Sequence, residues 1–228
     1  MKSQLEFYMA EIEKRLERLQ ELTTKALRDS MAAFEKLDIA LASDVKKQSG
    51  DIDELADKVE DNVFETIARR QPVARDLRKL ASYLQVAHNL YRVGRYAYKV
   101  AHITELCQGL EHYKELETLP HLAELAIETV DIAMNAILKG DLSRIEELEK
   151  LEAETDRETE DMFQEISDYL RKMDGIERMS MFYVIVGRYF ERAADHAFQI
   201  AERAIYVVTG EKRKLGLAYR RTDYIAPH

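Results

Sequence analysis

The chain has 228 residues, 46% of them apolar and 34% charged, with a net charge of −9. That is apolar material for a sizeable core, and the acidic balance excludes a general nucleic-acid binder, whose phosphate contacts need a basic face. Eight glycines and three prolines leave few turns, which excludes turn-rich sandwiches, barrels and α/β folds and predicts long helices.

One cysteine, Cys107, excludes an intrachain disulfide and fits a reducing compartment. No apolar run approaches the roughly 18 residues that a membrane-spanning helix needs. The N-terminus opens into an amphipathic pattern rather than a secretory signal. A cytoplasmic, all-α protein is expected.

Leu5, Met9, Ile12, Leu16, Leu19, Leu22, Ala26 and Met31 recur at steps of three and four, which predicts one long helix with a single buried stripe. The pattern falters at Lys36-Leu37-Asp38, and Asp38 is placed to cap a second helix. That helix carries Ile52, Ala56, Val59 and Val63 to about Arg70. Pro72 is expected in the first turn of a third helix, where its missing N–H is no loss, with Arg75 and Asp76 fixing the turn by local hydrogen bonds. The third helix runs to about Leu106.

A repeat then emerges. Met31 to Asp38 resembles Met134 to Asp141 at an offset of 103, which also sets Asp53 on Asp156 and Asp57 on Glu160. Tyr91 to Ala97 resembles Glu191 to Ala197 at an offset of 100. The missing three residues fall at tight turns, Gln71-Pro72 and Met173-Asp174-Gly175, where a deletion costs least. The fold class predicted is two tandem three-helix bundles built from six long helices. The units are 1–107 and 119–209, joined by a linker at 108–118 and followed by a basic tail at 210–228. The tail cations Lys212, Arg213, Lys214, Arg220 and Arg221 are read either as a solvated end or as a contact for acidic lipid or a partner protein.

Much familiar chemistry is absent. No Gly-x-Gly and no Gly-x-Ser-x-Gly occurs, so dinucleotide loops and hydrolase elbows are not expected. None of the six histidines has a glutamate three residues before it, which argues against the di-iron sites of ferritin-like bundles. No catalytic residue is assigned.

What remains is acidic. Glu152, Asp156 and Glu160 share one face of the fifth helix, and Glu191 and Asp195 one face of the sixth. Chance alone gives roughly eight acidic i,i+4 pairs in this composition, so one pair means little. Converging pairs on neighbouring helices would suit hard cations, iron or manganese. Ala193, Ala197, Ile200 and Ala204 form the buried stripe of the sixth helix, so Glu191, Asp195 and Glu202 are expected on its outer side. Tyr83, Tyr96, Tyr98 and Tyr189 are read as packing or partner-facing. Gly94 and Ala194, matched across the repeat, are expected to allow close helix approach.

Gln71-Pro-Val-Ala-Arg-Asp-Leu-Arg78 resembles the turn-and-helix signature of the PhoU family of phosphate-transport regulators. Arg188-Tyr-Phe-Glu-Arg-Ala-Ala-Asp-His-Ala197, continued by Ile200 to Tyr206, is similar to the motif in that family's second repeat. The resemblance covers residues 1 to about 210. It implies paired three-helix bundles and signalling rather than catalysis. It implies contact with the ATPase of a phosphate ABC transporter and with a phosphate-sensing histidine kinase, at the periphery of a membrane complex. A homodimer is expected. A related transporter, such as a potassium system, is the alternative partner, and a carboxylate-bridged metalloenzyme a more distant one.

The resemblance also implies multinuclear iron or zinc, as in some members of the family, bound through paired acidic motifs; a divalent or ferric ion (iron, zinc, manganese or magnesium) is the cofactor expected here. Carried over, the ligands are Asp156, Glu160, Glu191 and Asp195, with Glu152, His196 and Glu202 as lesser candidates. The first repeat keeps Asp53 and Asp57, but Tyr91 and Arg95 stand where the second acidic pair belongs. Arg95 is therefore expected to replace the cation there by pairing with Asp53 and Asp57.

Overall fold

A computed structural model describes residues 4–216. It contains six helices: α1 (Gln4–Lys36), α2 (Ile39–Arg70), α3 (Ala74–Leu106), α4 (Thr118–Lys139), α5 (Ile145–Leu170) and α6 (Glu177–Thr209). Each of α1, α2 and α3 packs on the other two, as does each of α4, α5 and α6. The two sets meet through α3 against α6 and α1 against α4. Among the described residues no helix is long and apolar enough to cross a membrane.

The stripes do what their periods require. In α2 the buried positions are Ala42, Val45, Ser49, Ile52, Ala56, Val59, Val63 and Thr66. Their strict alternation of three and four is a heptad seam that faces α1 and α3. Asp38 caps this helix by accepting a hydrogen bond from the Leu41 N–H at 3.0 Å. Gln71 ends it in the left-handed conformation at φ 47°.

The turn that follows differs from expectation. α3 starts at Ala74, so Pro72 lies before the helix and is buried in the connection. Pro72 would restrain Gln71 from αR, and the left-handed Gln71 with the extended Val73 leaves no helical turn for the proline to open. Arg75 and Asp76 do not tie the turn by their side chains. They line a groove of about 470 Å³ at this end of the molecule, between the starts of α1 and α3 and the ends of α4 and α6. The turn is held instead by the Asp76 N–H donating to the Val73 carbonyl at 3.2 Å.

The repeat offset exposes an asymmetry. The register that places Asp53 on Asp156 sets Ser49, Ile52 and Ala56 of the α2 seam on Glu152, Thr155 and Thr159 of α5. The apolar Ile52 and Ala56 thus have threonine counterparts, and the small Ser49 a glutamate. The hydroxyl of Thr155 donates back to the Leu151 carbonyl at 2.8 Å, and the buried Thr159 Oγ1 has no partner among the described residues. Only Ile145, Leu148, Thr155, Met162 and Ile166 of α5 are buried, whereas α4 is buried on nearly every face. α5 is therefore the most weakly anchored helix, and the one expected to open first.

The link between the two halves is pinned by His112. A carbonyl can only accept, so His112 Nε2–H donates to the Phe34 carbonyl at 2.9 Å. Nδ1 must then accept from the Tyr183 hydroxyl, also at 2.9 Å. One imidazole thereby joins α1 to α6. Burial pushes the Tyr183 hydroxyl well above the ordinary tyrosine pKa, so it stays a donor.

Candidate functional site

α5 and α6 present their acids along a shared groove. Ala193, Ala197, Ile200 and Ala204 of α6 are fully buried, which turns Glu191, Asp195 and Glu202 outward as their spacing requires. The groove encloses about 410 Å³, and Glu152, Asp195 and Glu202 line it together with Gln85, Phe198 and Lys214.

Two of the four principal acids, Asp156 and Asp195, feel the charge of a third, Glu191. The Asp156 carboxyl is raised above the ordinary aspartate range, first by burial and then by the charge of Glu191. Asp195 is raised by burial, by Glu191 and, more weakly, by Asp156, against the lowering pull of Arg188 and Arg192. Both side chains stay in contact with solvent, so burial here means a groove wall rather than a sealed interior. Glu160 is not part of this set. It lines a separate surface hollow with Asp161, Phe163, Gln164 and Ser167, all on α5.

Arg188, to which the sequence pattern assigns no role, is the cation paired with the acids of α6. Its guanidinium bonds the Glu191 carboxylate one turn away. The i,i+3 spacing alone carries that signal.

The lesser candidates have other work. Glu202 accepts from Lys214 Nζ at 2.8 Å and from the Leu215 N–H at 3.1 Å, holding the segment after α6 against the helix. A Cβ at Gly216 would meet a Glu152 carboxylate oxygen at 3.2 Å, so the same segment reaches α5. His196 faces α3 instead of the acids. Its Nδ1–H donates to Asn89 Oδ1 at 2.8 Å, which leaves Nε2 to accept from the Tyr96 hydroxyl 3.4 Å away. Burial lowers the His196 pKa to about 4, helped by Arg92, His88 and Arg192, so the ring is neutral at physiological pH.

The first repeat is arranged otherwise than expected. Arg95 forms no ion pair with Asp53 or Asp57 among the described residues. Its guanidinium lies 4.6 Å from the Tyr98 ring, a cation–π contact that keeps the arginine on α3. Asp53 and Asp57 are exposed on α2, and Tyr91 is half-buried against the core. The tyrosines pack: Tyr83 is fully buried and donates to Glu13 at 2.6 Å, and Tyr96 stacks on Tyr189 at 5.8 Å. The Cys107 thiol is buried, and burial raises its pKa to about 11, which removes it as a nucleophile.

The fit of this groove to a metal ion is partial. The mutual repulsion of Asp156, Glu191 and Asp195 is the electrostatic signature of a place that favours added positive charge. Yet among the described residues no three His, Cys, Asp or Glu side chains converge closely enough to hold an ion. Glu191 would have to leave Arg188 to complete a ligand set.

Two like sets of three helices, with acids on the outer side of the second set, define a duplicated helical bundle. The PhoU domain model matches twice, at residues 16–104 and 119–204, and the chain belongs to the PhoU family. It is 26% identical over 197 residues to the phosphate-specific transport system accessory protein PhoU homolog 1 of Thermotoga maritima, spanning 85% of this chain and 84% of that one. It is 28% identical over 206 residues to the phosphate-specific transport system accessory protein PhoU homolog of Pseudomonas aeruginosa, spanning 89% and 84%. The crystal structure of PhoU from Pseudomonas aeruginosa superposes with a TM-score of 0.84 at 27% identity, covering 91% of this chain and all of that one. The regulatory protein PhoU from Streptococcus pneumoniae shares the fold, with a TM-score of 0.83 at 20% identity.

Proposed function

We propose that this protein regulates phosphate uptake as the accessory protein of a phosphate-specific transport system. The observation that supports this most is the extent of the likeness: both repeats match the family, and relatives named for phosphate transport align over most of their own length. In this reading the protein acts in the cytoplasm by protein contact. It touches the ATPase of the importer and a phosphate-sensing histidine kinase, restrains uptake when phosphate is plentiful, and works as a homodimer.

The groove supplies a means of control in the same proposal. A divalent or ferric cation drawn to Asp156, Glu191 and Asp195 would tie α5 to α6. Because α5 is held by so few buried residues, such a tie would fix the outer face offered to a partner. This requires Glu191 to exchange Arg188 for the cation.

A pull-down from native cells tests the partner assignment. Recovery of a phosphate-importer ATPase or a sensor kinase supports it. Recovery of a potassium channel or antiporter in their place would transfer the protein to a different transporter. The altered first repeat, with Arg95 on Tyr98 and no second acidic pair, is the specific reason to keep that second reading.

A further inference from the structure

The segment that follows α6 builds a basic pocket on an acidic protein. Gly210 ends the helix in the left-handed conformation at φ 84°, and the chain folds back along α6. Leu215 is buried at 4% exposure, and Glu202 holds Lys214 Nζ and the Leu215 N–H. This fold-back encloses about 100 Å³ between the strap and the last turns of the helix, lined by Glu202, Arg203, Tyr206, Lys212, Arg213 and Lys214.

The charges in it do not balance. Four cations face one carboxylate, and that carboxylate is already used by Lys214 and the strap backbone. Among the described residues no carboxylate lies within ion-pair distance of Arg203, Lys212 or Arg213. Lys212 packs 5.7 Å from the centre of the Tyr206 ring, and a further cation, Arg78, lies 5.4 Å from the same ring. Arg78 Nε is buried and has no hydrogen-bond partner among the described residues. Gathering cations this closely costs free energy that a bound anion would recover. The space equals about three water molecules, enough for one tetrahedral oxyanion. Arginine and lysine side chains are the usual donors to such a group.

We propose that the pocket between the post-helix strap and the end of α6 binds a phosphoryl oxyanion through Arg203, Lys212 and Arg213. The shared chemistry is the doubly or singly charged phosphoryl group, as free inorganic phosphate or as the headgroup of an anionic lipid. The site adjoins the acidic groove and shares Glu202, Arg203 and Lys214 with it, but it uses none of Asp156, Glu191 and Asp195.

The test uses the full chain at low ionic strength, in two arms. One titrates inorganic phosphate by calorimetry. The other measures flotation with phosphatidylglycerol–phosphatidylcholine vesicles against vesicles of phosphatidylcholine alone. Each arm compares the wild type, the triple variant Arg203→Gln/Lys212→Gln/Arg213→Gln, and a control triple, Lys14→Gln/Arg18→Gln/Lys47→Gln, that removes equal charge from exposed helix faces. The single variant Arg213→Gln, on the exposed strap, covers the case of a misfolded triple. Binding in either arm is expected, with a loss of at least roughly tenfold in the pocket triple, a smaller loss in Arg213→Gln and little change in the control. The arm that binds identifies the source of the phosphoryl group. Failure of both arms overturns the proposal. So does an equal loss in the pocket and control triples, which would reduce the effect to net charge, or unchanged binding in Arg213→Gln together with the pocket triple.

Discussion

Gly94 of α3 lies directly against Ile52 of α2: a Cβ added to the glycine would sit 2.9 Å from Ile52 Cγ2 and 3.0 Å from Cδ1. The two helices therefore approach as closely as they do because position 94 has no side chain. In the repeat register the second copy has Ala194 for the glycine and Thr155 for the isoleucine, so the added Cβ comes with a smaller residue at the facing position.

That relationship makes a signed prediction. Gly94→Ala gains about 1 kcal/mol of helix propensity but overpacks a site where such insertions cost roughly 1–3 kcal/mol. The net effect is destabilising. In an Ile52→Ala background both clashing atoms, Cγ2 and Cδ1, are gone, and the same Gly94→Ala change should become neutral or stabilising. Urea unfolding of the four members of this cycle measures the coupling.

His196 gives a pH dependence of defined sign. Its folded pKa is lowered to about 4 from an ordinary value near 6.5, so the unfolded chain takes up the proton first as pH falls. The contribution is complete above about pH 6.5 and is lost progressively down to about pH 4, on the order of 2 kcal/mol in all once the full linkage value of about 3.4 kcal/mol is discounted for the ring's partial exposure. The stability of His196→Gln should decline less than that of the wild type across this window. Asn89→Leu, which leaves the buried Nδ1–H without an acceptor, should cost roughly 1–3 kcal/mol at pH 7.

The groove aspartates act in the opposite direction. Asp156 and Asp195 are raised in the folded state, so their carboxylates weaken the metal-free protein at neutral pH, and that penalty disappears as pH falls through their raised values. Asp195→Asn should therefore raise the melting temperature of metal-free protein at pH 7. At acid pH the gain should vanish.

If a cation ties α5 to α6, hydrogen exchange will report it. Adding manganese or zinc should slow exchange along α5 more than along α2, whose heptad seam is already complete. In Glu191→Gln/Asp195→Asn the slowing should be absent, and elemental analysis should show less bound metal. Equal protection in the double variant would remove the groove from the account.

The strap offers a simpler check. Glu202→Gln weakens its hold on Lys214 and Leu215. Limited proteolysis should then cut after Lys212, Arg213 or Lys214 several times faster than in the wild type, with the helices still intact.

The fold was legible because its determinants are periodic. The stripes of α1 and α2, the Asp38 cap and the repeat offsets all lie on the surface of the sequence, and six helices follow from them. Details set by tertiary contacts were not legible. Pro72 lies outside α3 because Gln71 turns left-handed first, a choice no local pattern announces. Arg95 reaches the face of Tyr98 on its own helix instead of crossing to Asp53 and Asp57. Glu160 shares a sequence period with Asp156, yet it lines a different hollow one turn further along α5. His196 follows the acidic motif in sequence but turns toward Asn89, because the adjacent buried stripe faces α3. The cations Arg220 and Arg221 lie outside the described residues.

The central claim is that this chain restrains phosphate uptake. Labelled phosphate uptake, measured in phosphate-rich medium in cells with the gene intact and deleted, tests it most directly. The account predicts that deletion raises uptake under these conditions and that the intact gene restores the lower rate. Unchanged phosphate uptake, with an altered potassium flux in the same deleted cells, would contradict it.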